Sequence, residues 1–147
     1  MLMAQLSDSC MTGKLGFHQG HVVAVGSYDG ALVIYDMRKA EVPVTVLAGP
    51  ESCLTRVRFH PDRSDHLLTS TECGGLWSWS PLAATAAAPA AQGSVWLNGH
   101  LTAGQLDIKE VLPPLPLAVN SVDVSGERLV CGGDNEAFYY LPRLPLS

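Results

Sequence analysis

A short pattern of two apolar runs around a glycine-bearing turn occurs three times in this chain, and it limits the possible folds more than any other feature. The first copy, residues 22–36, reads "VVAVGSYDGALVIYD". "HLLTSTECGGLWSWS" follows 44 positions later, with Gly74 at the place of Gly30, and "RLVCGGDNEAFYYLP" occupies residues 128–142. Such a turn between apolar runs predicts a β-hairpin, because glycine tolerates the positive φ of tight turns. The chain is therefore predicted to be built from repeated hairpins.

A further strand precedes each hairpin. "LTRVRFHPD", residues 54–62, alternates apolar and polar side chains and ends in a turn, and "VNSVDVSGE", residues 119–127, does the same before the third hairpin. For the first hairpin the strand must come from residues 10–15, where Gly13 weakens the pattern. "VPVTVLAG", residues 42–49, supplies an outer strand, since a proline is tolerated at a sheet edge. The repeating unit is thus predicted to have four strands.

The second strand of the first hairpin is apolar on both faces. Leu32 and Ile34 lie on one face, and Val33 and Tyr35 on the other. A strand of this kind fits between two packed sheets, and a four-stranded unit recurring every 40–45 residues or so is typical of a β-propeller blade. We predict an all-β propeller segment of about three four-stranded blades. They lie at residues 9–49, 54–112 and 119–142.

The number of blades is too small for a closed propeller. Propellers typically have at least about four blades, and the last unit here lacks an outer strand. We therefore expect a C-terminal piece of a longer propeller, whose open blade faces and unpaired edges favour aggregation.

The second unit contains an insertion. Residues 80–93, "SPLAATAAAPAAQG", are of low complexity, and Pro81 and Pro89 are expected to interrupt any helix. Residues 81–93 are predicted to be an inter-blade loop. The outer strand of this unit is then either residues 94–98 or residues 106–112, and the sequence does not decide between them.

Composition excludes several function classes. The net charge of −5 argues against direct nucleic-acid binding, and the absence of a run of 18 apolar residues argues against membrane insertion. The start of the chain lacks the basic region of a secretory signal, and the four cysteines are not spaced for a disulfide framework. Neither they nor the five histidines have the spacing of a zinc site. We predict reduced thiols, no metal, no cofactor and no small-molecule substrate.

Acidic residues occur at the predicted turns and strand ends, where carboxylates usually accept local backbone hydrogen bonds. These residues are Asp29, Asp36, Asp134 and Glu136. The serines and histidines show no nucleophile-elbow motif. We therefore predict no catalytic residues, and a protein that is not an enzyme.

Two further pairs of side chains are candidates for binding. Trp77 and Trp79 lie on one face of a predicted strand, where core packing is favoured over a ligand cage. Arg56 and Arg58 are predicted to form a solvated face, with a protein-contact patch as the alternative.

The repeats resemble those of the WD40 family. "VGSYDGALVIYDMR" is similar to the second half of a WD40 repeat, with Tyr35-Asp36 in place of Trp-Asp, and residues 54–80 resemble the next repeat. No Gly-His dipeptide precedes the inner strands, so the buried His–Ser–Asp–Trp chain of the family is incomplete, with Asp29 and Trp79 as its surviving members. "SVDVSGERLVCGGDNEAFYY", residues 121–140, resembles the C-terminal part of a WD40 nucleoporin of the Y-shaped outer-ring complex of the nuclear pore.

This resemblance implies a structural scaffold subunit in the nuclear pore complex. The implied partners are other nucleoporins of the Y-complex, above all the helical-solenoid subunit of its short arm. The implied roles are mRNA export and protein transport at the nuclear envelope, with a place at kinetochores in mitosis. The alternative is a WD40 peptide-binding adaptor, such as a ubiquitin-ligase substrate receptor, which would need a cationic or aromatic pocket.

Overall fold

The computed structural model describes residues 15–49, 52–87, 94–113, 116–134 and 136–145. Eleven strands, one short α-helix and three 3-10 turns form within these ranges. The strands are β1 (Leu15–Gln19), β2 (Val22–Gly26), β3 (Leu32–Asp36), β4 (Thr45–Leu47), β5 (Leu54–Phe59), β6 (Leu67–Thr71), β7 (Leu76–Pro81), β8 (Leu106–Leu112), β9 (Val119–Ser125), β10 (Arg128–Gly133) and β11 (Phe138–Leu141). The helix, α1, is Ala83–Ala87.

The strands form three antiparallel sheets, each made of strands consecutive in sequence. Blade 1 has the order β1-β2-β3-β4, blade 2 the order β5-β6-β7-β8, and blade 3 contains β9, β10 and β11. The predicted all-β propeller segment is confirmed. The first strand differs from its predicted position at residues 10–15: it is Leu15–Gln19, directly before Gly20, whose φ of 60° allows the tight turn into β2. Residues 10–14 lie outside the described residues.

The same turn closes the hairpin in all three blades. A backbone N–H donates to the carbonyl four residues later at Ser27, Thr71 and Gly133, over 2.9, 2.9 and 3.0 Å. Each turn contains one residue in the left-handed region: Gly30 (φ 87°), Gly74 (φ 84°) and, at the equivalent place, Glu136 (φ 60°). The third turn therefore keeps its geometry although it lacks the glycine that normally permits it.

Two apolar cores lie between the blades. As predicted, Leu32 and Ile34 of β3 face blade 2, while Val33 and Tyr35 lie on the opposite face of blade 1. Trp79 is fully buried in the core between blades 1 and 2, and its Nε1 donates to Thr69 Oγ1 over 2.9 Å. The second core joins blades 2 and 3. It contains Leu68, Leu76, Val119, Val124, Leu129, Cys131 and Leu144.

The outer strand of blade 2 is β8, which pairs with β7, so the second of the two open alternatives is the correct one. The first alternative, residues 94–98, forms a 3-10 turn at Val95–Leu97 instead. Trp96 in this turn is fully buried, packs edge-to-face on Phe59 with ring centroids 6.4 Å apart, and donates from Nε1 to Ser64 O over 3.0 Å. The apolar side chains of residues 95–97 fill the space between blades 1 and 2.

Part of the alanine-rich insertion is helical where a loop is predicted. Pro81 ends β7 and pairs with Leu106, and α1 follows directly. Alanine has the highest helix propensity, and a proline before the first turn does not disturb it. Thr85 Oγ1 fixes the helix by donating to Gln105 O over 3.0 Å. Residues 88–93, including Pro89, lie outside the described residues.

Candidate interaction surfaces

The two arginines of β5 bind blade 3 rather than solvent alone. Arg56 Nε donates to Asn120 O over 2.7 Å, and Arg58 forms an ion pair with Asp123 over 2.8 Å. Ser70 Oγ, on the neighbouring strand β6, donates to Val119 O over 3.0 Å. The prediction of a solvated face therefore holds only in part: Arg56 is exposed and Arg58 is half-buried, but both side chains also bind blade 3 along the seam between blades 2 and 3. No pattern within β5 itself could reveal that partner.

A histidine strengthens the same seam. His60 is buried at the end of β5, with Nε2 2.6 Å from Gly126 O in the β9–β10 turn. Its Nδ1 accepts the backbone N–H of Asp62 over 3.1 Å. Because Nδ1 accepts, the ring is neutral and Nε2 carries the hydrogen that it donates to Gly126. Asp62 Oδ2 accepts the N–H of Gly126 over 3.3 Å in return.

Two features hold the seam between blades 1 and 2. One is the 3-10 turn Val95–Leu97, and the other is the close contact of the Gly49 backbone with the Trp79 ring. Thr45 Oγ1, on the outer strand of blade 1, donates to Trp96 O over 2.8 Å. A Cβ atom at Gly49 would lie 2.5 Å from Gly30 O and 2.9 Å from the Trp79 ring. A side chain at this position would clash with Gly30 O within blade 1 and with the Trp79 ring of blade 2, so the two close contacts require glycine.

Two of the acidic residues at the turns and strand ends, Asp29 and Asp36, make the local backbone contacts predicted for them. Asp29 accepts from the Ser27 hydroxyl and from the Ala31 N–H, and these hydrogen bonds, the first above all, lower the pKa of its carboxyl group. Asp36 accepts from the Arg38 backbone N–H over 3.0 Å and from its guanidinium Nη2 over 2.8 Å. Asp134 differs from the prediction, because it accepts from the side chain of Asn120 in β9 and not from a neighbouring backbone N–H.

The Arg38 guanidinium lowers the pKa of Asp36 to about 2. The ordinary value is about 3.9, so this contact stabilises the fold above pH 4 or so, and the contribution is lost as pH falls through about 2. We expect an NMR titration to give Asp36 a midpoint of about 2, and Arg38→Ala to raise it towards the ordinary value. Lys39→Ala, at the next position of the 3-10 turn Met37–Lys39, should leave it unchanged. A wild-type midpoint near 3.9 would contradict the assignment.

The described cysteines are free thiols that differ in accessibility. Cys73 is exposed in the β6–β7 turn, whereas Cys131 is buried in β10. Burial raises the pKa of the Cys131 thiol, which lowers its thiolate fraction. We expect Cys73→Ser to remove one equivalent of fast reaction with Ellman's reagent, and Cys131→Ser to leave the fast phase intact. Equal fast reaction of both thiols would show that the core of blade 3 is open.

The described ranges contain no group of three or more His, Cys, Asp or Glu residues placed to hold a metal ion. No helix within those ranges is long and apolar enough to cross a membrane.

Exposed apolar side chains cluster on the outer face of blade 3 and beside a turn of blade 1. Phe138, Val130 and Tyr140 lie on one face of blade 3, because β10 and β11 pair Val130 with Tyr140 and Gly132 with Phe138. On blade 1 an open pocket of about 280 Å³ is lined by Ser27, Tyr28, Asp29, Ala31, Val33 and Val46. Exposed apolar patches of this kind mark interaction surfaces.

Sequence comparison finds relatives of one kind. The chain is 35% identical to Nucleoporin Nup43 of Mus musculus over an alignment of 150 positions that covers 86% of this chain and 40% of the mouse protein. It is 34% identical to Nucleoporin Nup43 of Homo sapiens over an alignment of 146 positions that covers 83% of this chain and 38% of the human protein. The chain therefore spans about two fifths of the length of these curated relatives. No protein-family model matches it.

Structural comparison finds β-propellers. The crystal structure of the computationally designed Ika4 protein matches with a TM-score of 0.59 at 15% identity, over 88% of this chain and 64% of that chain. A chain in the crystal structure of the mitotic checkpoint complex matches with a TM-score of 0.55 at 12% identity, over 87% of this chain and 34% of its own length. At such low identity these matches show the fold alone. Across its described residues the chain is thus a three-bladed segment of a β-propeller, and it is similar in sequence to nucleoporin Nup43.

Proposed function

We propose that this chain acts as a non-enzymatic scaffold element of the nuclear pore outer ring, in the manner of a Nup43 propeller. The observation that supports this proposal is 35% identity to Nup43 over 86% of the chain. The similarity is not limited to one repeat, because it covers 86% of the chain, which is more than the strands of any two blades span.

The structure suits a scaffold because neighbouring blades are joined rigidly. Two buried cores and hydrogen bonds from β5 side chains to blade 3 hold the blades together. Rigid blades present edges and turns in a fixed geometry, so a partner that recognises them pays little ordering entropy. In this proposal function comes from surface complementarity and not from a reacting group.

The proposal extends to the binding partners of the chain and to its location in the cell. We propose that the partners are other nucleoporins of the Y-complex, with the helical-solenoid subunit of the short arm as the direct contact. The chain would then reside at the nuclear pore in the nuclear envelope and take an indirect part in mRNA export and protein transport. In mitosis it would accompany the complex to kinetochores. These assignments are supported by the resemblance to WD40 nucleoporins.

Affinity purification of the tagged chain from nuclear extract, with quantitative mass spectrometry, tests the proposal. We expect Y-complex nucleoporins in near-stoichiometric yield, and a tagged Trp79→Ala variant with a disrupted core should lose them. Recovery of cullin-type ligase components instead would support a ubiquitin-ligase substrate receptor. Recovery of neither group by a folded chain would contradict both functions.

A further inference from the structure

The open pocket on blade 1 combines a carboxylate, an aromatic ring and an apolar wall. Its volume is about 280 Å³, and Tyr28, Asp29, Val33 and Val46 are among the residues that line it. Pockets that hold a whole small molecule usually have volumes of at least about 300 Å³. The blade 1 pocket lies just below that range, so its size suits a single long side chain.

Asp29 supplies the charge of the pocket. Its Oδ1 accepts from the Ser27 hydroxyl and, over 3.2 Å, from the Ala31 N–H. These hydrogen bonds hold the carboxylate in place and lower the pKa of the carboxyl group, so the group is ionised at neutral pH. In the part of the chain that the structure describes, no other residue donates to the second oxygen, Oδ2. Because the side chain is exposed, Oδ2 is available to a donor from outside the chain.

The rest of the pocket is apolar and aromatic. Val33 and Val46 pair across β3 and β4, so their side chains lie on one face, and Val46 and Tyr28 are exposed. A long side chain with a cationic end matches this arrangement, because its methylene groups cover the valines while its charge meets the carboxylate. A guanidinium also stacks on an aromatic face and has the planar geometry that a carboxylate accepts. Arginine therefore matches all three features of the pocket.

The surroundings of the pocket also favour a cation. The turns that join the second and third strands of the three blades lie at one end of the segment, where hydrogen bonds through residues 53–54 and 118–119 link each turn to the next blade. These turns, residues 27–31, 71–75 and 133–137, contain no lysine or arginine. They contain four acidic residues: Asp29, Glu72, Asp134 and Glu136. Such a concentration of one charge attracts a partner of the opposite charge.

A further blade packed on this side of blade 1 would leave the pocket open. Blade 2 shows this, because blade 1 packs on the corresponding side of blade 2. Trp77, at the place of Val33, is half-buried as Val33 is. The blade 2 residues at the corresponding turn and outer-strand positions are all exposed: Glu72, Cys73 and Glu110. Access to the pocket therefore does not depend on what packs against blade 1.

We propose that this pocket binds an arginine side chain presented by a partner protein. The guanidinium donates to Asp29 Oδ2 and stacks on the Tyr28 ring, and the methylene groups lie against Val33 and Val46. Arginine and tyrosine are among the residues that contribute most to affinity at protein interfaces. The proposal goes beyond a role at the nuclear pore and does not depend on it, since it rests on the chemistry of the pocket alone.

Titration of the full chain of residues 1–147 with the peptide acetyl-Gly-Arg-Gly-amide, followed by NMR of the valine methyl groups, tests the proposal. We expect saturable shifts of the Val33 and Val46 resonances. The same peptide with citrulline, the neutral isostere of arginine, should bind at least about tenfold more weakly, because the charged hydrogen bond is lost.

Variants of the chain locate the contact. Asp29→Asn keeps Oδ1 as an acceptor for the turn but removes the charge, so we expect a loss of affinity of about tenfold. Tyr28→Ala should weaken binding roughly two- to fivefold, as is usual for an exposed cation–π contact. Glu72→Gln, which removes the same charge from the corresponding turn of blade 2, is the matched control and should bind as the wild type does.

Three outcomes would overturn the proposal. One is the absence of shifts at Val33 and Val46 at a peptide concentration of about 10 mM. Another is equal binding of the arginine and citrulline peptides, a comparison that needs no variant of the chain. The third is an equal loss of affinity in Asp29→Asn and Glu72→Gln, with both shown to be folded by circular dichroism. In that case the overall negative charge of this end, and not the pocket, would attract the peptide.

Discussion

Replacement of Trp96 by alanine is expected to lower the free energy of unfolding by about 3–5 kcal/mol, as is usual for the loss of a buried tryptophan. The side chain is fully buried between blades 1 and 2, packs on Phe59 and donates to Ser64 O. Its removal leaves a cavity at the seam and an unpaired carbonyl. Urea denaturation followed by far-ultraviolet circular dichroism measures the change.

The Trp96→Phe variant separates the effect of the cavity from the effect of the lost hydrogen bond to Ser64 O. It keeps most of the apolar volume but loses the indole N–H, so we expect a smaller loss of about 1–3 kcal/mol. Val42→Ala, at an exposed position outside the seam, is the control and should change stability by less than about 0.5 kcal/mol. If Trp96→Ala and Val42→Ala had similar effects, the inserted turn could not be part of the core.

Trp79→Ala is expected to cost a similar roughly 3–5 kcal/mol, for a partly different reason. Trp79 belongs to β7 itself, and its ring lies against the backbone near Gly49 in the neighbouring blade. Its loss therefore weakens both the sheet core and the contact between blades. In the wild-type chain, acrylamide should quench the Trp79 fluorescence poorly, and efficient quenching would contradict its burial.

A double-mutant cycle tests the hydrogen bond that anchors this ring. Thr69→Val removes the acceptor of the indole N–H, and Trp79→Phe removes the donor. We expect the double variant to be more stable than the sum of the single losses predicts, because each single change leaves one buried polar group unpaired. Strict additivity would show that the hydrogen bond does not contribute.

Much of the fold could be predicted because its determinants are local. The glycines of the first two turns mark the hairpins, and the apolar character of both faces of β3 predicts that it lies between sheets. Pro43 predicts that the following strand is at an edge, which β4 is. The count of three blades follows from these local patterns, and the exposed face of blade 3 is what an incomplete propeller should show.

The features that were missed depend on partners distant in sequence. The run containing Trp96 is as compatible with a strand as with a turn, and only the space between blades 1 and 2 decides. Arg56 and Arg58 alternate with apolar residues as a solvated face would, yet their partners lie about 64 residues away in β9. In α1, alanine helix propensity prevails because Pro81 lies before the helix and not within it.

The hydrogen-bond acceptors along the seam between blades 2 and 3 make the two blades unequal in their tolerance of amino-acid substitutions. Arg56, Ser70 and His60 all donate to backbone carbonyls of blade 3, and a carbonyl is present whatever residue carries it. The donors in blade 2 cannot be replaced without losing a bond, whereas the side chain of Asn120 can vary freely with respect to the Arg56 contact. At this seam, we therefore expect blade 2 to tolerate fewer amino-acid substitutions than blade 3.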